Sequence, residues 1–123
     1  MSRGLGRIER IILKEIEQTK QSNKPQPVRV HSWGLVCGLA DTIDERGRWQ
    51  DPPRATRKAV TRAMHSFVRK FPQYALMGGQ GRRILYLYEP GDPLSTLWTQ
   101  LNVERGPVSL TEAKSVMSQS QEV

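Results

Sequence analysis

Residues 54–88 read RATRKAVTRAMHSFVRKFPQYALMGGQGRRILYLY, which is the pattern of one amphipathic helix followed by two short β-prone runs. Apolar side chains recur at helical spacing up to Pro72, and the helix ends there because the residue before a proline is held out of helical geometry. The β-prone runs, Gln73–Met77 and Ile84–Tyr88, are separated by a segment with three glycines, which supply positive φ at a loop tip. The sequence therefore predicts a helix over 54–70 that leads into a β-hairpin.

Positive charge is concentrated in the same part of the chain. Residues 52–88 carry eight Lys or Arg and no Asp or Glu, so this segment carries a charge of +8, more than the net charge of +7 of the whole chain. A solvated helix commonly pairs basic side chains with acidic ones at i,i+4, and this helix has no acidic residue to do so. We therefore favour a polyanionic partner over plain solvation. The candidate contacts are Arg54, Arg57, Lys58, Thr61, Arg62, His65 and Arg69 on the helix and Arg82 and Arg83 at the hairpin tip.

The preceding part of the chain predicts a helix, a strand and a second helix. Apolar residues with helical spacing form the core-facing side of a first helix that ends near Lys20: Leu5, Ile8, Ile11, Ile12, Leu13 and Ile16. Val28–His31 alternates like a short strand, and Ser32 is the predicted N-cap of an apolar helix over 33–40. Because that helix is apolar nearly all round, we expect it to be buried between the first and third helices.

The segment from Asp41 to Pro53 is interpreted as a solvated loop. Its three clustered carboxylates lack the alternating ligand pattern and the glycine of a calcium loop, so a cation site is the weaker interpretation. Trp49 either pins this loop onto the core or is exposed for a partner, and the sequence leaves both possibilities open.

The chain after the hairpin predicts two more helices. Asp92 is a capping residue followed by proline at the first helical position, and a last helix is expected from Ser109 to about Met117, with a frayed polar tail. The first of these helices carries an apolar stripe of Leu94, Leu97, Trp98 and Leu101. The stripe either folds back onto the first helix or pairs with a second copy of the chain, and we favour the homodimer.

Several classes of protein are not supported by the residues present. The single cysteine, Cys37, excludes an internal disulfide and is interpreted as a packed thiol. His31 and His65 lack a neighbouring nucleophile or carboxylate, and with one cysteine they do not form a usual zinc set. The glycines at the hairpin tip precede no Lys-Ser, Lys-Thr or helix, so a Walker or dinucleotide loop is not indicated. We expect no enzyme activity, cofactor or metal.

The apolar run at 33–40 is too short to span a bilayer, and the N-terminus has no signal-peptide pattern. We therefore expect a cytoplasmic protein with no membrane contact.

The order of elements resembles the winged helix-turn-helix domain of bacterial and phage-type transcription regulators. The resemblance covers residues 5–89 and rests on the helix–strand–helix order, the cadence AVTRAM at 59–64 in a basic third helix, and the Gly-Arg hairpin tip. It implies an α+β, mostly α fold, with a three-helix core and wing in residues 1–90 and a C-terminal helical extension in 91–123. The linker at 41–53 departs from the family, because the turn expected there has three or four residues.

The resemblance implies sequence-specific binding of double-stranded DNA by a small transcription regulator, and hence a nucleoid-associated location in the cytoplasm. Helix 54–70 would enter the major groove, and the wing at 78–83 would touch the adjacent minor groove or the backbone. Two alternatives remain. One is an RNA-binding winged helix that stacks bases on Tyr74, Tyr86 or Tyr88. The other is a winged helix that docks an acidic protein within a larger nucleic-acid-associated complex.

Overall fold

A computed structural model describes residues 5–40, 42–79 and 84–121. The fold in these ranges is α+β and mostly helical, as predicted. The elements are α1 (Arg7–Gln21), β1 (Arg29–His31), α2 (Ser32–Leu39), α3 (Arg54–Lys70), β2 (Ala75–Gly78), β3 (Leu85–Tyr88), α4 (Pro93–Arg105) and α5 (Leu110–Gln121). The predicted bounds of α3 are confirmed, and the two strands of the hairpin lie within one or two residues of their predicted positions.

The strands form one antiparallel sheet in the order β1-β3-β2. Its register places Val30 opposite Leu87 and Leu87 opposite Leu76, and all three pack in or against the hydrophobic core. Because side chains alternate along a strand, the neighbouring positions point to the other face of the sheet. That face carries Arg29, His31, Tyr86 and Tyr88, and α4 packs against it. The sheet is therefore enclosed between the core helices and α4.

The core is formed where α1, α3 and the inner face of the sheet meet. Ile12 and Ile16 of α1 are buried there, which confirms the predicted core-facing stripe. α3 contributes Val60, Met64 and Phe67, each 0% exposed, and its opposite half faces solvent. Burial of large apolar side chains on one side of α3 fixes which residues it presents outward.

The predicted N-cap of α2 is wrong by one residue. His31 is the cap, because its Nδ1 accepts a hydrogen bond from the amide of Gly34 at 3.0 Å. Ser32 is the first helical residue, and its hydroxyl accepts from the amide of Leu85 at 2.9 Å, which ties α2 to the sheet. The predicted burial of α2 is confirmed only in part, for Leu35 and Val36. α2 packs chiefly on α3, β1 and β3, and Gly34 and Gly38 remain exposed.

The predicted loop between α2 and α3 contains a small hairpin over residues 42–50, called here the linker hairpin. Ile43 and Trp49 form an antiparallel bridge, and the amide of Gln50 donates to the carbonyl of Thr42 at 2.7 Å. The turn is closed by the amide of Gly47, which donates to the carbonyl of Asp44 at 2.9 Å. Gly47 has φ of 75°, a conformation that favours glycine.

The C-terminal helices begin as predicted. Asp92 caps α4 by accepting a hydrogen bond from the amide of Leu94 at 3.0 Å, with Pro93 at the first helical position. α5 continues to Gln121 rather than ending near Met117, so the polar residues expected to fray are helical up to that point. No helix in the described ranges combines the length and apolar character needed to cross a bilayer.

Candidate nucleic-acid interface

The outer side of α3 carries the residues predicted to bind a polyanion. We call it the basic face, and it consists of Arg54, Arg57, Lys58, Thr61, Arg62, His65 and Arg69. All are exposed except Thr61, which is half-buried. From Arg54 to Arg69 the face extends about 22 Å at the helical rise of 1.5 Å per residue. The structure therefore brings these seven residues together along one exposed helix face.

None of the five Lys or Arg residues of the basic face forms an ion pair within the part of the chain that the structure describes. The remaining cation of α3 behaves differently. Lys70 donates to both carboxylate oxygens of Glu9 on α1, at 2.9 and 3.1 Å, and the Glu9 side chain is only 9% exposed. Of the six Lys and Arg residues of α3, Lys70 therefore contacts α1, and the five of the basic face are exposed to solvent.

Thr61 has a more limited role than the sequence suggested. Its hydroxyl donates to the carbonyl of Arg57 one turn earlier, at 3.0 Å. A hydroxyl has a single hydrogen to donate, so in this conformation Thr61 can only accept a hydrogen bond from a partner. Donation to phosphate or to a base acceptor then depends on the neighbouring Arg, Lys and His side chains.

The start of α3 favours an anion. Its N-cap is Pro53, which has no side-chain hydrogen bond to offer, and the first turn has no acidic residue. Three cations, Arg54, Arg57 and Lys58, lie instead near the positive end of the helix dipole, where they are unfavourable within the isolated protein. A phosphate at this end would offset that repulsion and accept from the free amides.

The hairpin predicted to act as a wing is formed by β2 and β3. The amide of Gly79 donates to the carbonyl of Ile84 at 2.7 Å, which extends the hairpin beyond the strands. A Cβ atom at Gly79 would lie 3.1 Å from the Tyr86 ring, so the backbone approaches that ring closely. Arg82 and Arg83, the predicted wing contacts, lie outside the described residues.

The tyrosines predicted to stack on bases in the RNA-binding alternative are partly or fully buried. Tyr74 is 6% exposed and packs against Phe67 with ring centroids 5.8 Å apart. Tyr86 contacts the Arg29 guanidinium on the sheet face beneath α4, and Tyr88 is half-buried. Tyr74 is therefore not available as a stacking surface in this conformation.

His31 and Arg29 lie on the same face of the sheet, and the positive charge of Arg29 acts on His31. The Arg29 guanidinium lies 3.8 Å from the ring centroid of Trp98 on α4 and 5.7 Å from that of Tyr86. Burial lowers the pKa of Arg29, and the nearby Tyr86 partly opposes this shift. Burial lowers the pKa of His31 below its ordinary value of 6.5, and the Arg29 charge lowers it further. His31 thus favours its neutral form, which is the form that can cap α2.

The residues of the predicted dimer stripe on α4 differ in whether they are already used in contacts within the chain. Leu101 is 4% exposed, and the Trp98 indole donates to the carbonyl of Val108 at 2.8 Å, so both are used within the chain. Leu94 and Leu97 are half-buried. α4 packs chiefly on the sheet and α5, rather than on α1 as the first interpretation of the stripe proposed. Its most buried residues include the small polar Ser95 and Thr99, which the apolar pattern did not predict.

The sequence left the exposure of Trp49 open and did not predict the linker hairpin that presents it. Ile43 and Trp49 are 56% and 53% exposed, and Trp49 lies beside Trp33 with ring centroids 6.3 Å apart. The signal was present in the segment DERG at 44–47, which has Asp at the first and Gly at the fourth position of a turn between two β-prone residues.

Asp44 serves the linker hairpin itself. Its carboxylate accepts hydrogen bonds from the amides of Arg48 and Arg46, at 2.8 and 2.9 Å, and from the side chain of Gln50 at 3.3 Å. The bond from Arg48 is the main cause of a lowered pKa for Asp44. Among the described residues, no group of three or more His, Cys, Asp or Glu side chains is placed to hold a metal ion.

Comparisons with protein-family models, with curated proteins and with solved structures find no match to this chain.

Proposed function

We propose that the protein binds double-stranded DNA through the basic face of α3, as a winged-helix transcription regulator. The observation that carries the proposal is the exposure of five Lys or Arg residues along one side of α3, without ion pairs among the described residues. The order of elements supports it, because a helix, a strand and two helices precede a two-stranded hairpin. The pairing of β1 with β3 is also compatible with a winged helix.

The mechanism follows from the geometry of α3. The helix would lie in the major groove with its basic face toward the bases and its apolar side held by the core. Arg side chains can bind the two acceptors of a guanine edge or two phosphate oxygens, and Lys binds phosphate. Arg82 and Arg83 of the wing would contact the adjacent minor groove or the backbone, which positions the helix without selecting a sequence.

The test is fluorescence-anisotropy binding of the purified protein to a labelled mixed-sequence duplex across a salt series, with unlabelled RNA as competitor. Affinity should fall linearly with log salt, with a slope corresponding to several neutralised phosphates, and duplex DNA should compete better than RNA. Negligible binding at low salt would overturn the proposal and direct the search to a protein partner. Stronger competition by RNA would favour an RNA-binding function.

A pair of double variants separates the basic face from net charge. Arg57→Ala with Arg62→Ala removes two cations from α3, and Arg105→Ala with Lys114→Ala removes two exposed cations from α4 and α5. We expect the first pair to weaken duplex binding strongly and the second to have little effect. Equal weakening by both pairs would contradict the assignment of this face.

A further inference from the structure

An open groove lies between the first turn of α1, the last residue of α2 and the first half of α3, and we call it the α1–α3 groove. Its volume is about 500 Å³. Ala55, Ala59 and Ala63 line it on α3, while Ile8 and Leu39 line it on α1 and α2. All five are at least partly exposed, so an apolar lining faces solvent in this part of the described chain.

The α3 side of the α1–α3 groove has the shape that a second helix requires. Its three alanines are four residues apart, so they form one ridge of small side chains about 12 Å long at the helical rise of 1.5 Å per residue. Small side chains along such a ridge let another helix approach closely. Apolar residues at i, i+4 and i+7 of an amphipathic helix span nearly the same length. The groove is therefore suited to the apolar side of a short amphipathic helix.

Cations surround this apolar lining. Arg54, Lys58 and Arg62 each directly precede one of the three alanines, so a row of positive charge runs along the ridge of α3. Arg7 lines the groove from α1. These four side chains are exposed, and none of them forms an ion pair among the described residues. All four are therefore available to a partner.

The acidic residues near the α1–α3 groove do not cancel this charge. Glu9 lines the groove, but its carboxylate accepts hydrogen bonds from Nζ of Lys70 at 2.9 and 3.1 Å, so it is paired within the fold. The other two acidic residues nearby in sequence are Asp41 and Asp51. The segments that contain the lining residues carry six Lys or Arg and three Asp or Glu, a net charge of +3, over residues 6–10, 39–41 and 51–63. The groove thus favours an acidic partner.

We propose that the α1–α3 groove docks an acidic amphipathic helix of a partner protein. Apolar side chains of that helix would pack on the alanine ridge, and its carboxylates would pair with Arg7 and with the row of cations on α3. A nucleic acid supplies phosphates for the cations but no apolar side chains for the ridge. A second copy of the chain carries a net charge of +7 and would be repelled. This inference does not depend on the proposed function.

The test uses the full chain and two fluorescein-labelled synthetic peptides of the same length and composition, made of Leu, Glu and Gln. In one peptide the Leu residues recur at helical spacing along one face, and in the other the order is scrambled so that no apolar stripe forms. Fluorescence anisotropy should show at least about tenfold tighter binding of the amphipathic peptide, since burial of one leucine side chain is worth that factor. Equal binding of both peptides, or binding of neither, would overturn the proposal.

Two variants separate the apolar ridge from the charge around it. Ala59→Gln places a larger polar side chain on the ridge without a change of charge, and it should abolish the preference for the amphipathic peptide. Arg7→Ala should weaken binding of that peptide severalfold, whereas Arg105→Ala, which removes an exposed cation of α4, should not. Circular dichroism should show unchanged helix content, since Gln is also a good helix former. An unchanged preference in Ala59→Gln, or equal effects of Arg7→Ala and Arg105→Ala, would contradict the assignment.

Duplex binding by the same protein distinguishes this site from the basic face. Ala59→Gln should leave the affinity for a mixed-sequence DNA duplex unchanged, because Ala59 does not belong to the basic face. If Ala59→Gln weakened duplex binding and left peptide binding intact, the groove would belong to a nucleic-acid site and the proposal would be overturned. Selective binding of the amphipathic peptide by a chain that binds no duplex would support this inference and overturn the proposed function.

Discussion

The carboxylate of Glu9 in α1 accepts two hydrogen bonds from Nζ of Lys70 at the last turn of α3, at 2.9 and 3.1 Å. Glu9 also accepts from the hydroxyl of Ser66, one turn earlier on α3, at 3.4 Å. Two side chains of α3 therefore converge on one nearly buried carboxylate. This contact fixes the rotation of α3 about its axis near its C-terminal end and so helps to hold the basic face outward.

The two partners of this pair should differ in their effect on stability. Lys70→Met leaves the Glu9 carboxylate buried without its cation, and we expect the free energy of unfolding to fall by about 2 kcal/mol. Glu9→Gln leaves Lys70, whose side chain is 39% exposed and can turn to water, so the loss should be below about 1 kcal/mol. Urea denaturation followed by circular dichroism measures both. A larger loss for Glu9→Gln would contradict this assignment of roles.

Stability should fall on acidification because of His31. Its pKa in the folded protein is lowered below 6.5, so the unfolded chain binds the extra proton first and stability is lost as the pH falls below that value. Protonation also removes the Nδ1 acceptor that caps α2. His31→Asn keeps a capping acceptor without titrating and should flatten the free energy of unfolding between about pH 7 and 5. His65→Asn, on exposed α3 surface, is the control that should retain the dependence.

The charge of Arg29 should set part of this pH dependence. Arg29→Met removes the positive charge that helps to lower the pKa of His31, so the loss of stability on acidification should become smaller. Arg29→Lys keeps the charge and should preserve it. Nε and Nη1 of Arg29 are buried without a hydrogen-bond partner among the described residues, so Arg29→Met should change stability at pH 8 by no more than about 1 kcal/mol. Thermal melts at several pH values test both expectations.

Under the proposed DNA-binding function, residues of α3 and of the tip of the β2–β3 hairpin should affect binding differently. If Arg57 or Arg62 reads a base, its replacement by Ala should weaken binding to a selected site by about 1–3 kcal/mol and relax the preference at one position. Arg82→Ala with Arg83→Ala should weaken all sequences alike and reduce the salt slope. Binding selection on random duplexes, followed by anisotropy, separates the two patterns. Parent-like binding by both variants would argue against this division of roles.

A homodimer, if α4 forms it, should depend on Leu94 and Leu97, since Trp98 and Leu101 have partners within the chain. We expect size exclusion with light scattering to give about twice the chain mass of 14.0 kDa at tens of micromolar, and Leu94→Ser with Leu97→Ser to halve it. A single species of chain mass for the parent would rule out this dimer. Thr96→Ala on the same helix is a control for general effects of substitution there.

Local patterns predicted much of the fold. The helical spacing of apolar residues and Pro72 determined α3, and the Asp92–Pro93 pair determined the start of α4. These predictions succeeded because capping, proline geometry and amphipathic spacing act over one or two turns of chain. The cap of α2 was misplaced for a related reason, since the sequence does not show that the Ser32 hydroxyl is used by Leu85, 53 residues away.

The sequence by itself determined where positive charge is concentrated and which half of α3 is apolar. Only the tertiary structure decided which charges remain free, because Lys70 is paired with a carboxylate 61 residues away and Arg29 is covered by Trp98. It also decided that Tyr74 is buried and that Trp49 is exposed. Such outcomes depend on packing between distant segments, for which periodicity and local charge carry no information.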